Sequence, residues 1–368
     1  MEKVKSIPLV EPWIPESYAE AVKDQVLSGF LGPGPQTQAF AQGIADYVGA
    51  SHGLLTVSGT VALSIAAIGV GLQPGDEILV PAYGVISTIN AFASIGLKPR
   101  LVEIEKSTGC LSPMHLLEAI SDKTRAVCFV NFSGYTGENI VQVKQICDEK
   151  GIPLIEDSAC ALGHQYKGTY SGLLGTVGIY SFSVPKVLTT GQGGIVITQD
   201  QAVFEKSAAY IDQGDLEWRK TGLNRSIGSN LRFNDVQASL GSIQLKNLSS
   251  CLKRRRETHQ ILKKALEGRI FTVPGDEAPL HNIVFPENPQ LFIQELKNQG
   301  ISSSRAYSSI PCHPAYHHLA EKTFSVSDFW MNHAVFLPFG VALDPDDAKY
   351  IAEVVNKAPQ KLYSIGEN

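Results

Sequence analysis

Few features are concentrated in this sequence, and each shortage closes off a class of protein. Its six cysteines, Cys110, Cys128, Cys147, Cys160, Cys251 and Cys312, are widely spaced, with no CxxC pair and no Cys/His cluster. That argues against a zinc site and against a disulfide framework. A cationic surplus is missing too: 31 Lys and Arg stand against 36 Asp and Glu, a net charge of −5. A generic binder of nucleic acid or anionic membrane would carry a basic patch. The one basic run, Lys253-Arg-Arg-Arg256, adjoins Glu257 in a helical pattern and reads as a solvated helix face. No apolar run approaches the roughly 18 residues that span a bilayer, and the opening Met-Glu-Lys-Val-Lys-Ser lacks the apolar core of a secretion signal. No GxGxxG turn follows the first strand, which argues against a nicotinamide enzyme. The expectation is a cytoplasmic enzyme with no metal, nucleic-acid or membrane partner.

What is present is a regular alternation. Hydrophobic residues make up 43% of the 368 positions, enough for a large core and two domains. Apolar patterning predicts helices at 16–27 and 36–48, strand 52–57 and helix 61–71. Strands at 77–80, 99–103, 125–130 and 153–155 then alternate with helices at 89–95, 113–120 and 141–150. This spacing predicts a mostly parallel sheet with helices on both faces, a three-layer α/β/α domain. Ligands of such sheets bind beyond the carboxyl ends of the strands, where Ser58, Tyr83, Asn131 and Asp157 fall. The polar stretch 211–228 reads as a functional loop or subunit contact. A long helical link, 235–245 and 251–266, marks the boundary. Residues 1–248, arm included, are expected to form the large domain, and 249–368 a smaller α+β domain. The latter has strand-like pieces at 270–273, 282–285 and 334–337 and a helix at 290–299. Its last helix, 346–355, has Asp344 as N-cap and Pro345 at the first position.

The chemistry centres on Gly178-Ile-Tyr-Ser-Phe-Ser-Val-Pro-Lys186, followed by a glycine-rich return and the apolar run Ile195-Val-Ile-Thr198. A lysine between two buried strands is unusual, because burying an ammonium is costly unless something compensates. Desolvation favours the neutral amine, which forms a Schiff base with an aldehyde. Upstream, Pro153-Leu-Ile-Glu-Asp157 ends an apolar strand in two carboxylates. A lysine to hold an aldehyde and a carboxylate to keep a pyridine nitrogen protonated are what pyridoxal phosphate chemistry requires. Taken singly, the two residues also read as a surface-turn lysine and a turn aspartate. Ser58-Gly-Thr60, between a strand and a long apolar helix, places free N–H groups where an anion is favoured; alone, Ser58 also reads as an ordinary N-cap.

Four segments, in order along nearly the whole chain, resemble the DegT/DnrJ/EryC1/StrS family of pyridoxal-phosphate-dependent sugar aminotransferases, which have the type I fold. They are Ser58-Gly-Thr60, Ile155-Glu-Asp-Ser-Ala-Cys-Ala-Leu-Gly163, Ser181-Phe-Ser-Val-Pro-Lys186 with Thr189-Thr-Gly-Gln-Gly-Gly194, and Gly228-Ser-Asn-Leu-Arg-Phe-Asn-Asp-Val-Gln-Ala238. The resemblance implies pyridoxal 5′-phosphate, alternating with pyridoxamine 5′-phosphate during turnover. Lys186 would be the Schiff-base and acid–base residue and Asp157 the partner of the ring nitrogen, with Ser58, Gly59, Thr60 and Ser181 around the phosphate. Cys160 stands where the family commonly has glutamine or histidine beside the ring. Val85 stands where an aromatic side chain often stacks, so stacking is absent, aliphatic or supplied by Tyr83. A homodimer with shared active sites is also implied, with Arg232 and Asn230 candidates to reach the partner's substrate, and His313 and Tyr316 near the substrate entrance. The implied reaction moves an amino group from L-glutamate to a keto group of a nucleotide-linked deoxysugar, for cell-surface polysaccharide or glycan precursors. Open alternatives are a keto-cyclitol or free keto sugar acid as acceptor, another pyridoxal-phosphate reaction such as desulfuration, and a non-catalytic cofactor-binding regulator. Related sugar dehydrases replace the lysine by histidine, so Lys186 argues against them.

Overall fold

In the computed structural model, which describes residues 6–275, 277–320 and 322–365, the alternation becomes one large sheet with a smaller sheet beside it. Residues 1–5 and 366–368 of the two expected domains lie outside the described residues. Helices α1 (Glu16–Leu27) and α2 (Pro35–Val48) lead into β1 (His52–Thr56), α3 (Gly59–Gly69), β2 (Glu77–Pro81), α4 (Ile86–Ala93) and β3 (Lys98–Val102). Next come α5 (Pro113–Ala119), β4 (Thr124–Val130), α6 (Glu138–Lys150) and β5 (Leu154–Asp157). A small hairpin, β6 (Gln165–Tyr166) and β7 (Thr169–Tyr170), precedes β8 (Val177–Ser181) and β9 (Gly194–Thr198). Helices α7 (Gln201–Ile211), α8 (Trp218–Thr221), α9 (Asp235–Lys246) and α10 (Leu248–Leu266) follow. The C-terminal part contains β10 (Asn282–Val284), α11 (Pro289–Asn298), β11 (Ser304–Arg305), α12 (Ser325–His333), β12 (Val335–Leu337) and α13 (Pro345–Lys357).

The seven-stranded sheet runs β1-β9-β8-β5-β4-β2-β3. The run from β8 to β3 is parallel, whereas β9 pairs antiparallel with both β8 and β1. Side chains alternate between two cores, as the two-residue period of a strand demands. Ala126 and Cys128 of β4 face the core that includes Ala62 and Ile65 of α3 and Phe92 of α4. Val127 and Phe129 face the core that includes Leu116 of α5 and Ile140 of α6. Helices thus cover both faces, and the strands can be apolar throughout, which is why β8 and β9 are buried at every position.

Local signals place the helix ends. Pro35 opens α2, and Gly49 closes it at φ 76°, a left-handed conformation that glycine adopts without a Cβ penalty. Asp344 Oδ1 accepts from the Asp347 N–H at 2.7 Å ahead of α13, with Pro345 at its first position. Asp200 caps α7, a helix the sequence reading left unassigned, as it did α12. The expected strand at 270–273 is reduced to a single bridge, Ile270 to Val284.

The C-terminal part, with its three-stranded sheet β10-β12-β11, is joined to the large sheet through hydrogen bonds from its backbone N–H groups. Ile310 N–H donates to Ala82 O at 2.8 Å, just past β2, and buried Glu103 accepts from the N–H groups of Val326 (3.0 Å) and Ser327 (3.1 Å) at the start of α12. The arm, grouped with the large domain in the sequence reading, runs along the C-terminal sheet instead. Ile7 bridges Ile301 and Val10 bridges Phe339, and the Ile7 side chain joins Leu262, Phe292 and Ile351 in the C-terminal core.

Candidate active site

Three strand ends, of β4, β5 and β8, and two helix starts, of α3 and α4, converge on a cavity of about 250 Å³ at the carboxyl edge of the parallel sheet. Its walls include Ser58, Gly59 and Thr60 from the start of α3, Val85 and Thr88 from α4 and the turn before it, Asp157 from β5, Cys160 beyond it, and Ser181 and Lys186.

Ser58 is extended, and its Oγ accepts from the Val61 N–H at 3.2 Å, which makes it the N-cap of α3. The N–H groups of Gly59 and Thr60, in the first turn, have no carbonyl to bond within the helix and carry the positive end of its dipole. Glycine is required there by crowding: a Cβ on Gly59 would lie 2.8 Å from Ser181 Cβ and 3.0 Å from its Oγ. Across β9, a Cβ on Gly194 would meet Gly59 N at 2.7 Å. The two glycines let β9 press against the helix start without filling the cradle beside Ser181.

Alternation along β5 sends its two carboxylates in opposite directions. Glu156 turns to the hairpin side, where its oxygens accept from Gly172 N–H at 2.8 Å and Gly175 N–H at 2.5 Å. Burial pushes it up to about 7, against the pull of these N–H groups. Asp157 turns to the cavity. Its Oδ2 accepts from Thr88 Oγ1 at 2.7 Å and its Oδ1 from Ala159 N–H at 3.2 Å. Burial holds this carboxyl above the usual carboxylate range, while Thr88, Ala159 and the nearby Lys186 amine oppose the shift. Two donors fix the carboxylate's plane and leave lone pairs for a third partner.

Lys186 sits on the turn between β8 and β9, and its Nζ donates to Cys160 Sγ at 3.1 Å. The turn is pinned from behind. Gln244 of α9 clamps Thr189 by both amide atoms, at 3.0 Å to its N–H and 2.6 Å to its carbonyl. Gln237 Nε2 donates to Gln192 O at 2.8 Å. The lysine therefore extends from a rigid support although it lies outside any helix or strand.

The cavity brings together Ser58, Gly59, Thr60, Val85, Asp157, Cys160, Ser181 and Lys186. Tyr83 is not among them: it turns inward, packs on Phe132 and Trp330, and its hydroxyl accepts from the Tyr307 N–H at 3.3 Å. Asn131 is buried, where its Oδ1 accepts from Ser158 Oγ at 2.6 Å. Arg232 has the partner that the sequence did not show. Its guanidinium lies 3.3 Å from Asp212 and donates to Asn230 Oδ1 at 2.9 Å, while its backbone bridges Thr56 at the end of β1. Tyr316 donates its hydroxyl to Asn90 Oδ1 at 2.5 Å, and half-buried His313 precedes it; neither lines the cavity. Thr88, Ser183 and Gln192 line it without having been singled out. Among the described residues, no group of three His, Cys, Asp or Glu is placed to hold a metal, and no helix is long and apolar enough to cross a membrane.

The donor set fits a phosphorylated pyridine aldehyde: free N–H groups and hydroxyls for a dianion, a buried carboxylate for a ring nitrogen, a primary amine for the aldehyde. A mostly parallel sheet with amine and carboxylate opening on one cavity at its carboxyl edge defines the α/β fold of the type I aminotransferases. Residues 12–356 match the DegT/DnrJ/EryC1/StrS aminotransferase family, and the chain belongs to it. GDP-perosamine synthase of Vibrio cholerae is 27% identical over 361 residues, covering 95% of this chain and 98% of that protein. A dTDP-4-dehydro-2,3,6-trideoxy-D-glucose 4-aminotransferase of Saccharopolyspora spinosa is 28% identical over 378 residues, covering 96% of each. Among solved structures, that of S. venezuelae DesV in complex with a ketimine intermediate superposes with a TM-score of 0.88 at 26% identity, covering 96% of this chain and 98% of that one.

Proposed function

We propose that this aminotransferase uses pyridoxal 5′-phosphate to move an amino group from L-glutamate to a keto group of a nucleotide-linked deoxysugar. The observation that carries the reading is the shared cavity in which the Lys186 amine, the Thr88-anchored Asp157 carboxylate and the start of α3 meet. The named relatives, which act on GDP- or dTDP-linked sugars by their descriptions, support the acceptor class.

In this reading Gly59 and Thr60 N–H groups, with Ser58 and Ser181, bind the phosphate. Asp157 keeps the ring nitrogen protonated. When bound, the cofactor supplies an aldehyde that takes up the amine and a ring that accepts the electron pair of the broken C–H bond. Lys186 Nζ holds the aldehyde at rest and, once released, takes and returns that proton as acid and base. Cys160 Sγ offers the released amine an acceptor inside the cavity. Asp157→Asn keeps the shape and loses the charge, so it should lose most turnover while retaining part of the cofactor.

The active unit in this reading is a cytoplasmic homodimer, with Arg232 and Asn230 serving the neighbour's substrate and His313 and Tyr316 near the entrance. Support comes from exposed apolar side chains flanking the Arg232 segment: Leu27 (75%), Phe30 (50%), Leu31 (52%), Leu223 (70%) and Ile227 (90%). The experiment is direct. Purified protein with pyridoxal phosphate should be yellow and bleach with glutamate, and one member of a panel of GDP- and dTDP-linked keto sugars should restore the colour. A protein that neither colours nor bleaches would overturn the reading.

A further inference from the structure

Amino transfer makes no covalent use of the sulfur in the cavity. Cys110, Cys128, Cys147 and Cys251 are buried, Cys312 is exposed, and Cys160 is half-buried. Cys160 lines the cavity of about 250 Å³ together with Lys186, and the Lys186 Nζ lies 3.1 Å from its Sγ. Two turns hold the pair face to face. The Lys186 N–H donates to Ser183 O at 3.0 Å, and the Ala161 N–H, next to Cys160, donates to Ser158 O at 2.9 Å. The flexible four-carbon stem of the lysine supplies the small movement that still separates nitrogen from sulfur.

A thiol beside an amine, in a cavity with room for a small oxidant, has a defined oxidation chemistry. Hydrogen peroxide gives one oxygen to the thiol: its O–O bond breaks, a sulfenic acid forms and water leaves. The neutral amine of Lys186 then attacks that sulfur with its lone pair. The S–N bond forms, the S–O bond breaks, and the hydroxyl departs with a proton from nitrogen as a second water. Sulfur has given up two electrons to the peroxide, and the protein is two hydrogens lighter. Two molecules of a thiol reverse the change. The first cleaves the S–N bond and frees the amine, and the second resolves the mixed disulfide. Because the amine is already in place, its attack is intramolecular and outruns the second peroxide that would carry the sulfur to irreversible sulfinic acid.

We propose that Cys160 and Lys186 are a modification site: under peroxide they join in a sulfur–nitrogen bridge that thiols undo. The bridge ties the turn after β5 to the turn between β8 and β9 and withdraws the amine from the cavity. It rests on the geometry of this chain and does not depend on which molecule is aminated. An aldehyde held by Lys186 occupies the same nitrogen, so it splits the pair and protects it. Oxidation in the unoccupied site thereby produces a recoverable off-state instead of a spoiled sulfur.

The test is peptide mapping by mass spectrometry of the full chain, freed of cofactor and treated with one equivalent of hydrogen peroxide. The peptides carrying Cys160 and Lys186 should appear joined, two hydrogens lighter than their sum, and should separate on treatment with dithiothreitol. Cys160→Ser and Lys186→Ala, each shown to be folded by circular dichroism, should lose the joined species. A second reading is colour: peroxide-treated protein should stay largely colourless with pyridoxal phosphate and turn yellow after dithiothreitol. Untreated protein that fails to colour would sink the cofactor reading, whereas the joined peptides would still decide this one. In protein already yellow with pyridoxal phosphate, the same peroxide should give little of the joined species. Cys160 oxidised to sulfinic acid without a link to Lys186, oxidation confined to Cys312, or a link equally abundant in the yellow protein overturns the proposal.

Discussion

Removing the Thr88 hydroxyl isolates what holds Asp157 ionised. Burial works against the charge, and the 2.7 Å bond from Thr88 Oγ1 is the largest effect opposing it. Thr88→Val is nearly isosteric, so the lost quantity is one hydrogen bond to a charged, buried oxygen, worth about 1.5–3 kcal/mol. If the ionised carboxylate is what the reaction needs, the rate should fall by roughly tenfold to 150-fold. The sign also predicts pH behaviour. Without Thr88 the carboxyl moves further above the ordinary range, so the acid limb of the glutamate half-reaction shifts to higher pH. The assay is stopped-flow absorbance of the cofactor-loaded enzyme with glutamate between about pH 6 and about pH 8.5, where the deficit should narrow as pH rises. Thr88→Ser, which keeps the hydroxyl, should recover most of the loss. A Thr88→Val profile that superposes on the native one, or a deficit constant across that range, refutes the reasoning.

Three more tests follow from the site and the core. Lys186→Ala should abolish transfer from glutamate while far-UV circular dichroism and Tm stay native, because the turn is held by Gln244 and Gln237 rather than by the lysine; turnover at the native rate would remove Lys186 from the mechanism. Mixed dimers of Lys186→Ala and Arg232→Ala subunits should regain activity if Arg232 serves the neighbour, since one site then carries neither change; no recovery in verified mixed dimers would assign Arg232 to its own chain. Glu156 is held up to about 7 against about 4.5 unfolded, so its contribution to stability is full below about 4.5 and lost as pH rises through about 7, on the order of 3 kcal/mol. Tm should fall across that window, and Glu156→Gln should flatten the fall; an equally steep curve in the variant would show that other groups cause it.

Lys186 and Asp157 were legible because each sits at the end of an apolar run, where a charged residue contradicts its surroundings. Ser58-Gly-Thr60 was legible for a related reason: a strand, a cap and an apolar helix fix where an anion can bind. Thr88 gave no such contradiction. A threonine near the start of a helix is ordinary, and its importance comes only from β2 and β5 being brought to the same edge, which no local pattern encodes. Tyr83 was read as facing the ligand because it follows a strand end. Its backbone bridges Ser309, a contact from the C-terminal part that turns the ring into the core. The antiparallel placement of β9 was hidden too, since an apolar strand buried on both faces reads alike in either direction.

The arm that pairs with the C-terminal sheet makes the order of synthesis a matter of consequence. Ile7 has no partner until Ile301 has been made, and Val10 none until Phe339. At translation speeds of about 5–20 residues per second, Ile7 waits roughly 15 to 60 seconds with its apolar side chain exposed. The large sheet can assemble during that interval, from β1 through β9, but the arm cannot close onto its sheet before the last strands emerge. A ribosome that stops before Phe339 leaves the arm, the C-terminal core and the seat of α13 open together, so quality-control proteases and chaperones meet an unfinished chain by both of its ends.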